Sequence, residues 1–183
     1  MKISAAISLQ PATEADHDTV IALTNRAYRQ AEGQTDWKVE NLVAGQRIDA
    51  SLLAEDLARP GARLLVARDP DGEHVGHVRL DAGQGGAWYL SMLTVRPDRQ
   101  DGGLGRAVLE AAEAHAAAHG ARTMQMSVLN PREALIAWYG RRGYAPTGET
   151  KPFPYGDDRF GTPTREGMYF VVLEKALSPY ASA

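Results

Sequence analysis

The sequence predicts an α/β fold, a mixed central β-sheet with helices on both faces, and three observations carry that expectation. Apolar runs of strand length alternate with helical runs along most of the chain. The run YLSMLTV is followed by a glycine-rich turn and then by the Ala-rich segment AVLEAAEAHAAAHG, a strand, turn and helix that suit a parallel connection. At 183 residues, 44% hydrophobic and 23% charged, the chain can bury one core, so a single domain over 1–183 is expected.

Each element follows from local pattern. ISLQPATEAD opens as a short alternating strand, and Thr13 or Asp16 can cap a helix through HDTVIALTNRAYR, whose Val20, Leu23, Ala27 and Tyr28 share one face. Residues 30–49 turn polar and irregular before a second short helix, ASLLAEDLARP, that Pro60 ends. ARLLVARDPDGEHVGHVRLDA reads as a hairpin around Asp69, Pro70, Asp71 and Gly72. AWYLSMLTV reads as a strand buried on both faces. The next helix extends to about His119, stops at Gly120, and turns Leu104, Val108, Ala111 and Ala112 inward. ARTMQMSV is a strand, and PREALIAWYGRRG a helix with Pro131 in its first turn and Gly143 past its end. YAPTGETK and MYFVVLEKA are the last strands, joined by PFPYGDDRFGTPTREG, which is longer than a connection requires.

Composition excludes several functions. A net charge of −3 argues against a nucleic-acid partner. With no cysteine there is no disulfide, thiolate metal site or covalent cysteine nucleophile. His115 and His119 stand at i and i+4, but no glutamate follows His115, so no metal is expected. MKISAAISLQ is too short in apolar residues for a signal peptide, and no run of about 18 apolar residues occurs, so a cytoplasmic location without a membrane partner is expected.

The segment RPDRQDGGLGRA, residues 96–107, carries the chemistry. Gly102, Gly103 and Gly105 stand where a strand ends and a helix begins. Glycine permits positive φ and close backbone approach, and the first turn of a helix offers unpaired N–H groups and a positive dipole end. An anion, most naturally phosphate, fits there. A nucleotide P-loop is excluded because no Gly-Lys pair occurs, and a dinucleotide fingerprint fails at Val108.

The pattern Gln100, Asp101, Gly102, Gly103, Leu104, Gly105 resembles the pyrophosphate-binding Q-x-x-G-x-G signature of the GNAT superfamily of N-acetyltransferases. Asn130 after the next strand, and Tyr139 within WYGRRGY, are similar to that family's Asn and Y-x-x-x-G-[FY] positions, and the order of elements also agrees. The likeness is strongest over 89–144. It implies the GNAT fold, acetyl-CoA as acyl donor without a metal, and direct attack by a primary amine of a small molecule or peptide. It further implies that backbone groups of Leu93 and Val95 pair with the pantetheine arm, with Asn130 also on the cofactor side. Backbone N–H groups from Gln100 through Arg106 would hold the pyrophosphate, with Arg96, Arg99 and Arg106 adding charge that Asp98 and Asp101 offset. Asp101 departs from the small or basic residue often found there. Tyr139 is placed as general acid to the departing thiolate, and the Leu93 N–H as oxyanion donor.

The family's frequent glutamate on the strand before the loop is missing from AWYLSMLTV. The general base is therefore unassigned, with a water chain, His77, Asp157 or an amine arriving neutral as the options. A GNAT-fold module that senses acyl-CoA without turnover is the alternative reading. Residues 28–49 and 153–167 are expected to wall the acceptor site. Their Tyr28, Trp37, Tyr155, Asp157 and Asp158, with Asp36, Phe153 and Phe160 nearby, suit a cationic amine with an apolar body. A monomer or homodimer is expected.

Overall fold

The computed structural model describes residues 7–29 and 42–179. In chain order the elements are β1 (Ser8–Pro11), α1 (His17–Arg29), β2 (Val43–Ala44), α2 (Ala50–Leu57), β3 (Ala62–Arg68) and β4 (His74–Ala82). They continue as β5 (Ala87–Val95), α3 (Leu104–Ala118), β6 (Thr123–Leu129), α4 (Glu133–Gly140), β7 (Ala145–Pro152), β8 (Thr162–Pro163) and β9 (Tyr169–Ala176). A seven-stranded sheet runs β1-β3-β4-β5-β6-β9-β7, and β2 pairs with β8 in a small second sheet that the sequence does not foreshadow. In the large sheet β5 and β6 are parallel and the other pairs antiparallel.

Alternation along β4 sorts the two faces. Val78 and Leu80 pack with Val108, Leu109 and Ala112 of α3. On the other face, Val20 of α1 and Leu53 of α2 pack with Leu64, Val66 and Met92. Small residues on α3 let it lie close to the sheet; Val108, Leu109, Ala112 and Ala116 are its buried positions, whereas Leu104 and Ala111 are half-buried. Helices therefore cover both faces, as expected. Among these residues no helix is long and apolar enough to cross a membrane.

Local chemistry sets the boundaries. The Asp49 carboxylate accepts from the Leu52 N–H at 2.8 Å and starts α2. A 3₁₀ turn over Glu14–Asp16 precedes α1, and there the Asp16 carboxylate accepts from the Thr13 N–H and pairs with Arg68 of β3 at 2.6 Å. Pro131 lies before α4, whose N-cap is Arg132, rather than inside its first turn. The expectation for AWYLSMLTV is corrected: Trp88, Leu90, Met92 and Thr94 are buried, but Tyr89, Ser91 and Leu93 are only half-buried. Burial alternates along the whole of β5, so one of its faces is fully covered and the other only in part.

His77 is completely buried on β4, with Nε2 2.7 Å from Thr24 Oγ1 and Nδ1 3.2 Å from His74 Nε2. Burial, reinforced by His74, pushes its pKa down to about 3. Unfolding releases His77 to its ordinary pKa, so between about pH 6.5 and 3 the unfolded chain binds a proton that the fold excludes. Stability is thus full above that window and falls as pH drops through it. From pH 7 to pH 5 the loss from this one residue is about 2 kcal/mol. Urea unfolding at the two pH values is expected to show that slope shrinking by about this amount in His77→Gln; an identical slope in both proteins would refute the assignment.

Candidate active site

The site begins where two strands part. β5 and β6 pair at Ala87–Thr123, Trp88–Met124 and Tyr89–Gln125, and then stop. β6 remains paired with β9 from Thr123 through Leu129, so β6 holds its line. On its other side β5 is bulged against β4. The register shifts between His77 and Arg79, so that Met92 and Leu93 face the single residue Val78, and Met92 takes φ of 52°. A bulge bends the strand that carries it. From Leu90 onward β5 swings away, and a cavity of about 520 Å³ opens between Leu90–Leu93 and Met126–Leu129. The Arg96 N–H donates to Val75 O across the β4 side. By strand alternation the N–H groups of Val95 and Leu93 point the other way, into the gap. Tyr28 of α1 reaches the same place, its hydroxyl donating to Leu93 O at 3.2 Å.

Beyond β5 the chain makes a 3₁₀ turn over Pro97–Gly102, and Gly103, at φ of 76°, starts α3. Neither a side-chain cap nor an acidic residue occupies the first turn of α3. Its N–H groups are therefore open to an anion, as the glycines imply. A Cβ added at Gly102 or Gly103 would meet nothing within 4 Å, whereas one at Gly105 would lie 3.8 Å from Trp138 Cζ2. The side chains of Gln100 and Asp101 lie outside the described residues. The three arginines expected to supply charge are each paired already. Arg96 forks onto Asp98 at 2.7 Å, Arg99 meets Asp69 at 2.6 Å, and Arg106 meets Glu110 at 2.7 Å. What the loop leaves unpaired for an anion is therefore its backbone N–H groups.

Tyr139 on α4 is 6% exposed and lines the cavity. Its ring packs edge-on to Trp138 at 5.0 Å and Tyr144 at 5.7 Å. Burial raises its pKa well above that of a free phenol, so the hydroxyl stays protonated. Asn130 lies elsewhere: its N–H donates to Tyr169 O and its Oδ1 accepts from the Tyr169 N–H, both at 2.9 Å, which pins the start of β9. Asn130 is not part of the cavity wall.

The acceptor-side expectations divide. Tyr28, Phe153 and Phe160 line the cavity, but Tyr155, Asp157 and Asp158 do not. The Tyr155 hydroxyl donates to Arg165 O and accepts from the Met168 N–H, tying its own loop. Asp157 forks onto Arg159 and caps the turn Asp158–Phe160, which holds its carboxyl below the usual range. Asp158 is exposed on that turn. Trp37 and Asp36 lie outside the described residues. Neither candidate base reaches the gap: His77 is sealed beneath α1, and Asp157 faces Arg159. His119 Nδ1 lies 2.7 Å from the His115 carbonyl, closing the end of α3, and among the described residues no group of three or more metal-ligating side chains is assembled.

Sequence reading missed the cavity's charge. Among the described residues, Arg47, Arg59, Arg79, Arg132 and Lys151 line it, against the carboxylate of Asp56. They come from separate elements, so no window of sequence shows them as a cluster.

Residues 24–144 match the model of the acetyltransferase (GNAT) family. The chain is similar to an IAA acetyltransferase of Azospirillum brasilense, 35% identical over 107 residues that make up 57% of this chain and 67% of that protein. It is similar in fold to a spermidine N-acetyltransferase from Vibrio cholerae solved with CoA and spermine, with a TM-score of 0.68, 13% identity and coverage of 96% and 98% of the two chains. The ribosomal-protein-S18-alanine N-acetyltransferase from Escherichia coli gives 0.66 at 17% identity, covering 97% of each chain.

The left-handed backbone at Gly103 has a measurable consequence. Gly103→Ala meets open space yet must hold positive φ, so it is expected to cost about 1–2 kcal/mol of stability. Gly102→Ala, with equal room and no such φ, is expected to stay within about 0.5 kcal/mol of the parent. Denaturant midpoints of the two variants check this; equal losses would show that crowding and not backbone conformation decides.

Proposed function

The chain belongs to the acetyltransferase (GNAT) family, and from that premise we propose that it transfers an acetyl group from acetyl-CoA to a primary amine by direct attack. The observation that carries the reading is the parting of β5 from β6 beside an uncapped, glycine-led helix. Leu93 and Val95 offer strand-like backbone groups to an extended amide-bearing arm, and the first turn of α3 offers N–H groups to a pyrophosphate. Open space over Gly102 and Gly103, which a Cβ would narrow, fits the same group. Acetyl-CoA supplies the thioester, an electrophilic carbonyl with a thiol leaving group.

The residues present divide the remaining work. The Leu93 N–H donates toward the carbonyl oxygen as that oxygen gains charge. Tyr139, kept protonated by burial, donates to the departing sulfur and is excluded as a base. Asp56 is held by Arg79 and by Arg59, at 3.3 Å from the latter, so the cavity's carboxylate is engaged and the amine enters neutral. Overall, the C–N bond forms, the C–S bond breaks, and the proton lost by nitrogen ends on the thiol. The lack of a free carboxylate among the described cavity residues favours one alternative, an acyl-CoA-binding module without turnover. Release of free thiol with an amine panel separates the two.

Acetyl-CoA is expected to raise the melting temperature of the protein, and Gly103→Glu, which sets a carboxylate against the phosphates, to remove that shift while the protein stays folded. An unchanged shift in the folded variant would remove the basis of the reading. Tyr139→Phe is expected to lower kcat by about 10²-fold and leave acetyl-CoA affinity within about twofold. Unaltered turnover would leave Tyr139 as a packing residue.

A further inference from the structure

We propose that the cavity selects an acceptor that carries a carboxylate or comparable oxyanion together with its amine, held by Arg47, Arg132 and Lys151. This rests on the acetyl-transfer reading for the amine's role, but its charge argument stands on the cavity alone. Among the described residues the wall holds five cations and one carboxylate. Asp56 and Asp81 neutralise Arg79, and Asp56 also meets Arg59. Arg47, Arg132 and Lys151 have no ion-pair partner among the described residues. Two of them are set over aromatic rings of the same wall: Lys151 Nζ is 4.8 Å from the Tyr89 ring, and the Arg47 guanidinium 5.8 Å from that of Tyr28. Arg132 lies near enough to Tyr139 to act on its ionisation.

Arg79, 5% exposed, and Ser91, its cross-strand neighbour, also belong to the cavity wall. Arg79 Nε and Ser91 Oγ are sealed from solvent, so an entering group meets the charge of the wall and not these two atoms. No residue from Gly102 to Arg106 belongs to this wall, so these cations form a set separate from the first turn of α3. A purely cationic amine would enter against the like charges of Arg47, Arg132 and Lys151. Phe153, Phe170, Leu129 and Leu135 complete the wall, so the acceptor pairs its oxyanion with an apolar body small enough for about 520 Å³.

Two arms test this. In the binding arm, 3-phenylpropionate and phenethylamine are compared as ligands by melting shift, in wild type and in Arg47→Gln with Lys151→Gln. The carboxylate is expected to stabilise the wild type and lose roughly tenfold or more in affinity in the variant, with acetyl-CoA affinity unchanged. In the turnover arm, L-phenylalanine and phenethylamine are compared by free-thiol release. The amino acid is expected to have the higher kcat/KM by roughly tenfold or more, through KM, and Arg132→Gln to narrow that gap. Equal or better use of phenethylamine, or a carboxylate affinity indifferent to the substitutions, overturns the proposal and leaves acetyl transfer standing. Carboxylate binding through these cations, with no thiol released from any amine, sustains the anion site and overturns the transfer reading instead.

Discussion

The structure depends on one missing set of hydrogen bonds, those that β5 and β6 would make beyond Tyr89 and Gln125. β6 is fixed along its whole length by β9, and the bulge at Met92 turns β5 away from it. Had the pair continued, the outward N–H groups of Leu93 and Val95 would be satisfied within the sheet, and neither gap nor cavity would exist. Backbone groups are tolerated without strand partners only where water or a ligand meets them. The parting therefore converts sheet edge into binding surface. It also delivers the chain to Gly103 and α3 at the end of β5, next to the opening.

Two regions that can attract an anion on the proposed reading are built differently. At the loop the nearby arginines are paired with Asp98, Asp69 and Glu110, which leaves backbone N–H groups and the end of α3 to supply attraction. In the cavity side chains would supply it, since among the described residues the cations outnumber the carboxylate of Asp56. The second arrangement bears on the missing base. Nearby positive charge disfavours the ammonium form of an amine. With no unengaged carboxylate among the described cavity residues, the proposed reaction would draw on the cations by electrostatics where a glutamate would accept a proton.

Much of this was legible where the signal is local. The hairpin around Asp69 to Gly72, the strand-to-helix glycines, the parallel β5 and β6 pair, and the helix that carries Tyr139 all follow from periodicity or turn chemistry within short windows. The rest depends on pairings and strand geometry that periodicity does not reveal, whether the partners are near or distant in sequence. Nothing in AWYLSMLTV marks Met92 for positive φ, since methionine has no preference for it, yet the bulge that turns β5 from β6 falls at that residue. Asp157 looks available in PFPYGDDRFGTPTREG but closes onto Arg159 two residues away. Arg96, Arg99 and Arg106 look like phosphate ligands until their carboxylates, one of them thirty residues distant at Asp69, are in view. Arg47, Arg79, Arg132 and Lys151 converge only once the sheet has assembled.

Arg79 joins the scaffold to the site. It is nearly enclosed, and its guanidinium bridges Asp56 of α2 and Asp81 on its own strand. A buried ion pair is weak support for stability, because the desolvation of its charges offsets most of the attraction between them. An apolar contact between α2 and β4 would hold the helix as well. What an apolar contact would not provide is a cation on the cavity wall, beside Ser91, with its Nε unpartnered. The network therefore makes more sense as wall than as glue: Asp56 and Asp81 fix the guanidinium in place, and α2 is thereby tied to β4 at the edge of the space that the parting of β5 and β6 has opened.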